Sequence, residues 1–359
     1  MFKGIEGARG WLSLAVLFSH IIAFTSFHRL PKAKLIIEPG HWAVLIFIMI
    51  SGFVITNLIT RKQEGYGIYI ARRALRIYPA YLVALVLGFL VLPRDFTLPE
   101  FGDILGNQVQ HVRDRAASYA GAPGTHVLLH LSMLHGIVPN NILPEAQYMF
   151  VPPAWSLSLE WQFYLLAPAI LVAIRRWPLP MAVFVAIVFL LAKRGMFGHY
   201  YNPSFILNAG WWFLIGILSY LYIDRLPRIE GAALWTLLAL LLPLAFFNKE
   251  LVAVLGWVAL IAYIRSDANW RLLDGPLAAY LGARSYGIYI LHMPILIACC
   301  WVAYSALGLT SYTAACVTGV LTTAATFILA EIVYRTVERP AINFGKRLGR
   351  EPVPATQGW

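Results

Sequence analysis

Residues 11–27 read WLSLAVLFSHIIAFTSF and residues 41–60 read HWAVLIFIMISGFVITNLIT. Each is a nearly unbroken apolar run, long enough as an α-helix to cross a hydrocarbon layer about 30 Å thick. Eight more such stretches follow, at 77–92, 154–174, 179–193, 204–223, 231–247, 250–264, 283–306 and 312–335, with those at 179–193 and 250–264 the shortest. The chain therefore reads as all-α: a polytopic membrane protein of about ten transmembrane helices. Composition agrees. Hydrophobic residues make up 60% of the 359, charged residues only 13%, and mean hydropathy is +0.69, which excludes a soluble domain, a disordered chain or a coiled coil. The first run lacks a small-residue cleavage site and is entered by Arg9, so it reads as a retained helix and not a removed signal peptide.

Lys and Arg number 28 against 17 Asp and Glu, a formal net charge of +11. In a soluble protein that surplus would point to nucleic acid. Here it reads as topology, with cations gathered in cytoplasmic loops beside anionic lipid, and no nucleic-acid partner is expected. With the N-terminus inside, alternate connections hold nineteen of the cationic residues, among them Arg61, Arg72, Arg175 and Arg265, and the opposite connections hold nine. Both termini are thus expected in the cytoplasm, in a multi-pass membrane protein. One domain is expected over 1–345, with a short cytoplasmic tail at 346–359. The connection 93–153 is long and extracytoplasmic; loops of that length usually act, so a lid or substrate-binding cap is one reading and a disordered connector the other. Cys299, Cys300 and Cys316 lie in apolar runs without metal spacing and read as packing residues.

A charge near the bilayer centre costs about 2.5–3.5 kcal/mol on insertion scales, so each polar residue inside a span needs a partner or a purpose. Arg9 and His20 are eleven positions apart, which on a helix is about three turns and about 16 Å of depth. They share a face, with Ser13 and Val16 between them. A histidine there can take or give a proton, or simply satisfy an interhelical hydrogen bond. Ser156, Glu160 and Tyr164 form an i, i+4, i+8 polar stripe, and Glu160 calls for an arginine or histidine partner within the membrane. Ser51-Gly52 is a small pair that allows close approach of a helix or a ligand. Arg73 and Arg76 sit one turn apart at the membrane boundary, suited to phosphate oxygens or to anionic lipid. Ser285-Tyr286-Gly287-Ile288-Tyr289-Ile290-Leu291-His292-Met293-Pro294 places a second histidine before a proline inside a span. His126 and His130 are spaced i, i+4, but no glutamate completes a metalloprotease pattern, and no metal is expected. There is no nucleophile elbow, P-loop or dinucleotide glycine fingerprint.

Taken in order, Glu6-Gly7-Ala8-Arg9-Gly10 with His20, Ser51-Gly52-Phe53, Arg73-Ala74-Leu75-Arg76-Ile77-Tyr78-Pro79, Trp155-Ser156-Leu157-Ser158-Leu159-Glu160 with Phe163-Tyr164, Ser285-Tyr286 to His292, and Glu338-Arg339-Pro340 resemble the integral-membrane acyltransferase 3 family over nearly the whole chain. Trp11 departs from the smaller aliphatic usual at its position. The resemblance implies a ten-helix, multi-pass O-acyltransferase of the bacterial inner membrane. It would carry an acyl group, commonly acetyl, from acetyl-CoA or another acyl-CoA to a hydroxyl of a cell-surface or exopolysaccharide sugar or its lipid-linked precursor. It also implies His20, Glu160 and Arg9 as catalytic, with Glu160 orienting His20 or pairing with an arginine. Arg9, Arg73, Arg76 and Ser51 would hold the donor co-substrate, no cofactor being permanently bound, and Glu6, Tyr164, His292 and Tyr289 would contact substrate. The central expectation is that Arg9 and His20 look into one cavity. Some relatives carry a fused extracytoplasmic domain, which this chain is expected to lack. A transporter of an acyl, lipid or sugar species without bond formation, and a tailoring acyltransferase acting on a small molecule, are the alternatives.

Overall fold

The computed structural model describes residues 2, 4–62, 64–98, 109–226, 228, 233, 236, 239–241, 243 and 248–349, and among these no residue is in a strand. Helices α1 (Ile5–Phe24), α2 (Lys34–Arg61) and α3 (Tyr66–Thr97) come first. Two shorter helices follow, α4 (Val109–Gly121) and α5 (Pro123–Leu131). Then come α6 (Trp155–Arg176), α7 (Pro178–Lys193), α8 (Ile206–Leu221), α9 (Leu251–Arg265), α10 (Pro276–Trp301), α11 (Ser311–Val333) and α12 (Arg339–Arg347). Six helical stretches, built on α1, α2, α3, α6, α10 and α11, are long and apolar enough to cross a membrane, while α7, α8 and α9 are apolar but shorter. Nine of the expected spans thus fall on apolar helices. The remaining one, 231–247, lies outside the described residues apart from scattered positions, as do 99–108 of the long connection and the tail beyond residue 349.

Close packing is achieved with glycine. A Cβ on Gly10 would strike Leu281, and one on Gly282 would strike the Glu6 carbonyl, so α1 and α10 cross nearly backbone to backbone. In the same way Gly52 meets the backbone of Phe213 and Gly216 meets that of Met49, which locks α2 against α8. Small residues allow this because apolar side chains gain nothing by leaving lipid, and dispersion at short range must hold the helices instead. The Ser51-Gly52 pair therefore does serve close helix approach. Phe2 and Gly349 lie at the same end of the bundle: Phe2 packs on Tyr220 in the last turn of α8, and Gly349 abuts Ile68 in the first turn of α3.

The long connection begins later than its expected boundary at residue 93. Pro93 does not end α3, which runs on to Thr97. At about 48 Å for 32 residues it outreaches a bilayer, so the hydrogen bond lost at this proline falls near a helix end. Beyond it the chain folds into an ordered cap of α4, α5 and three short 3-10 turns. An Arg115–Asp95 ion pair at 2.8 Å, both partners buried, ties α4 to the tip of α3. The hydroxyls of Tyr78 and Tyr81 donate to the carbonyls of Ser132 and His130 at 2.9 and 2.8 Å. His130 and His135 are fully buried and stacked face to face, with centroids 4.0 Å apart.

Burial holds His126 and His130 below the usual imidazole range and pushes His135 down to about 4. Their folded-state pKa values lie below the unfolded value near 6.5, so the stability they contribute is complete above that pH and is lost as pH falls toward 4. The cap is expected to open in acid over that window. Hydrogen exchange across residues 109–154 should accelerate between pH 6.5 and 4, and His135→Phe should flatten part of the dependence; a flat profile in the unaltered protein contradicts this. Removing Asp95 strands a buried guanidinium, at a cost of about 3–5 kcal/mol. Asp95→Ala is accordingly expected to make the cap protease-sensitive while the helices below it stay protected.

Candidate active site

The glycine crossing of α1 and α10 brings His20 and His292 together, with Nδ1 of His20 2.9 Å from Nε2 of His292. Nδ1 of His292 lies 3.1 Å from the Ile288 carbonyl oxygen. A carbonyl can only accept, so that nitrogen carries the proton. In the neutral ring Nε2 then offers a lone pair, and His20 donates to it through Nδ1–H. The consequence is directional: Nε2 of His20 keeps its lone pair. The ring also makes a backbone hydrogen bond to Val16, one turn back on its own helix, an acceptor that Nδ1–H can share.

His20 lies in the wall of a cavity of about 440 Å³ beneath the cap. His41 of α2, His111 and Arg115 of α4, Glu145, Tyr148 and Tyr201 line it too. Glu145 is buried, and one of its oxygens accepts from Nδ1 of His111 at 2.8 Å while the other has no partner. Burial raises the Glu145 carboxyl above the usual range, and His111 partly offsets this. Aromatic rings, an amide from Asn202, imidazoles and a carboxylate make this a chamber suited to a polyhydroxylated ligand.

Arg9 does not share that chamber. It lines a second, smaller cavity of about 50 Å³, with Ser51, Glu160, Ser285 and Tyr286. Val44 and Tyr289 border both cavities and form the wall between them. The Tyr289 hydroxyl is held at 2.7 Å from Ser156 Oγ and donates to the Pro153 carbonyl at 3.0 Å. The single cavity expected for Arg9 and His20 is thus two adjoining ones. Helical periodicity put both residues on one face of α1, and Tyr289, reaching in from α10, divides the space that face looks into.

Glu160 is also placed differently from expectation. It accepts from the Tyr164 hydroxyl at 2.5 Å and from the Ser51 hydroxyl, and no guanidinium or imidazole is within ion-pair distance among the described residues. The Gly52 contact brings Ser51 close enough to reach the carboxylate first. Glu160 therefore does not orient His20; His292 occupies that place. Arg73 stands 6.0 Å from the Tyr164 ring, and its Nε, like that of Arg9, is buried without a partner. Arg76 is committed to Glu338, a buried carboxylate beyond α11, and stacks over Tyr286 at 5.8 Å. Glu6, Arg73, Arg76 and Tyr164 border neither cavity. Sequence reasoning had no site role for Glu338, although Glu338-Arg339-Pro340 was conspicuous, nor for His41, His111, Arg115 and Glu145. For His111, Arg115 and Glu145 the one signal was charge or imidazole in a loop too long to be idle.

The acyltransferase 3 family model, described as an acyltransferase domain, matches residues 2–331. The chain belongs to that family. Among the relatives of this acyltransferase are Nodulation protein 10 of Rhizobium leguminosarum bv. viciae, 28% identical over 84% of this chain and 82% of that protein, and "Putative acetyltransferase ORF330" of Acidianus two-tailed virus, 25% identical over 80% and 82%. A "Putative O-acetyltransferase" of Staphylococcus aureus (strain COL) is 21% identical over 82% of this chain but only 50% of its own length. No solved structure matches.

The wall at Tyr289 can be tested by labelling. In a background without the three native cysteines, Ser51→Cys is expected to resist a polar maleimide added from the cap side and to become reactive when Tyr289→Ala merges the cavities. Equal labelling with Tyr289 in place would show that no such wall exists.

Proposed function

We propose that this acyltransferase moves an acyl group, most simply acetyl, from acyl-CoA to a hydroxyl of a cell-surface or exopolysaccharide sugar or its lipid-linked precursor, in a bacterial inner membrane. One observation carries the reading: a buried His292 sets the tautomer of His20, so that the free lone pair of His20 belongs to the ring that borders the chamber beneath the cap. That chamber receives the acceptor. The acceptor oxygen bonds to the acyl carbon as its proton passes to Nε2 of His20; the C–S bond breaks, and the imidazolium returns the proton to the thiolate, releasing CoA. His292 holds the ring in place as a carboxylate does in a hydrolase triad, and accepts from Nδ1–H without adding a charge that lipid would penalise.

The donor approaches from the Arg9 end of the bundle. Arg9 and Arg73, each with an unpartnered Nε, are available to it, whereas Arg76 is paired with Glu338. The small inner cavity has room for the end of a pantetheine arm and not for a nucleotide. For the thioester to reach His20, Tyr289 must give up its bonds to Ser156 and Pro153. Acetyl transfer is further supported by the printed names of two relatives.

With the purified protein, acyl-CoA and a glycan acceptor, His20→Ala is expected to lower kcat about 10²–10⁴-fold, the usual worth of a positioned base. His292→Phe, which leaves Nδ1–H of His20 unpaired, should lower kcat with little change in KM, and His292→Gln should restore part of it, because its amide oxygen can accept that proton. Release of free CoA coupled to acylated acceptor is the readout. Undiminished turnover by His20→Ala removes the base assignment, and acceptor uptake without CoA release removes the acyl-transfer reading altogether.

A further inference from the structure

At the end of the bundle that holds residue 2, the last turns of α2, α6, α8 and α9 surround a cavity of about 510 Å³. Four arginines line it, Arg61, Arg175, Arg228 and Arg265, with one acidic residue, Asp224. None of the five is in an ion pair among the described residues. Arg175 donates to Thr60 Oγ1 at 3.0 Å, and Arg265 donates to the Ile223 carbonyl while its Nε is buried without a partner. Most of the donors these four side chains carry are therefore uncommitted.

Three of the arginines close their helices, where a cation eases the negative end of the helix dipole. That accounts for Arg61, Arg175 and Arg265 one by one. It does not account for their sharing one recess: each helix end offers only about half a charge, Arg228 lies outside the helices whose bounds are described, and like charges drawn into one recess repel unless an anion joins them. We propose that this cavity binds a phosphate group carrying at least two negative charges or two adjacent phosphates, gripped by guanidinium forks that fit its oxygens in pairs. The cavity sits at helix ends, the level at which bilayer phosphates lie. Its chemistry suits an anionic lipid headgroup or the phosphates of a soluble nucleotide alike.

It is separate from the place proposed for the acyl donor's reactive end. Thr60 is nine residues along α2 from Ser51, about 13 Å. Between them the fully buried Phe53 packs edge-on against Phe2 and Tyr220, with centroids 4.8 and 5.4 Å away, and those two rings line the basic cavity.

The test uses the full chain in nanodiscs. Native mass spectrometry compares retention of cardiolipin, whose headgroup carries two phosphates, with phosphatidylcholine, and calorimetry in purely zwitterionic discs measures CoA binding. The paired substitutions Arg61→Gln and Arg175→Gln are expected to weaken the phosphate ligand about tenfold or more, and Arg61→Lys with Arg175→Lys to fall between, because charge is kept and the fork is lost. Loss of cardiolipin preference alone identifies a headgroup site; weakened CoA binding alone identifies a soluble-phosphate site. Unchanged retention of both ligands overturns the proposal. If the paired variant fails to fold, Arg228→Gln, on an exposed side chain, is read in the same two assays against the same criteria.

Discussion

Two imidazoles meeting inside an apolar bundle constrain most of what surrounds them. Water cannot satisfy a ring nitrogen there, so each proton needs an acceptor from the protein. The Ile288 carbonyl takes one, His292 takes the other, and the remaining lone pair is left on the ring that borders a chamber. This arrangement requires α1 and α10 to cross at backbone contact, which Gly10 and Gly282 permit and a single methyl group would prevent. The chemistry proposed for His20 thus rests on a packing constraint ten residues along each helix from the histidine pair.

A second consequence of close packing is compartmentation. Tyr289 is on α10 one turn before His292, and the crossing that seats His292 also places Tyr289 against Ser156 at the start of α6 and Phe47 of α2. The Arg9-side and cap-side spaces are therefore distinct, with Arg9, Ser51 and Glu160 bordering one and His20 the other. Such a division suits a reaction whose two substrates approach from opposite faces of a membrane, because it closes a path along which ions would leak. The cap completes the outer space by bringing His111, Arg115 and Glu145 over it, anchored on the overlong α3 by the Arg115–Asp95 pair.

Charge is handled differently at the two levels. Within the bundle, Glu160 is satisfied by hydroxyls and Arg76 by Glu338, while Arg9 and Arg73 each keep an unpartnered Nε. At the helix ends near residue 2, four arginines share a recess with one carboxylate and form no ion pair among the described residues. An unpaired charge costs more where the dielectric is low than where headgroups and water begin. The same residue type can therefore be structural in α3 and ligand-seeking at the ends of α2, α6 and α9.

Much of this protein was legible from residue order alone, because bilayer thickness imposes a minimum apolar length and leaves hydropathy with few alternatives. The helical spans, the polar stripe Ser156-Glu160-Tyr164, the pairing potential of Ser51-Gly52 and the singling out of Arg9, His20 and His292 all follow from local spacing, since a helix places its own side chains. Partners on other helices do not follow, because crossing angle and depth are set by contacts between elements. That Glu160 meets Ser51 and Tyr164 and not a cation, that His292 and not a carboxylate holds His20, and that Tyr289 parts Arg9 from His20 were decided only when glycine faces from distant parts of the chain came together.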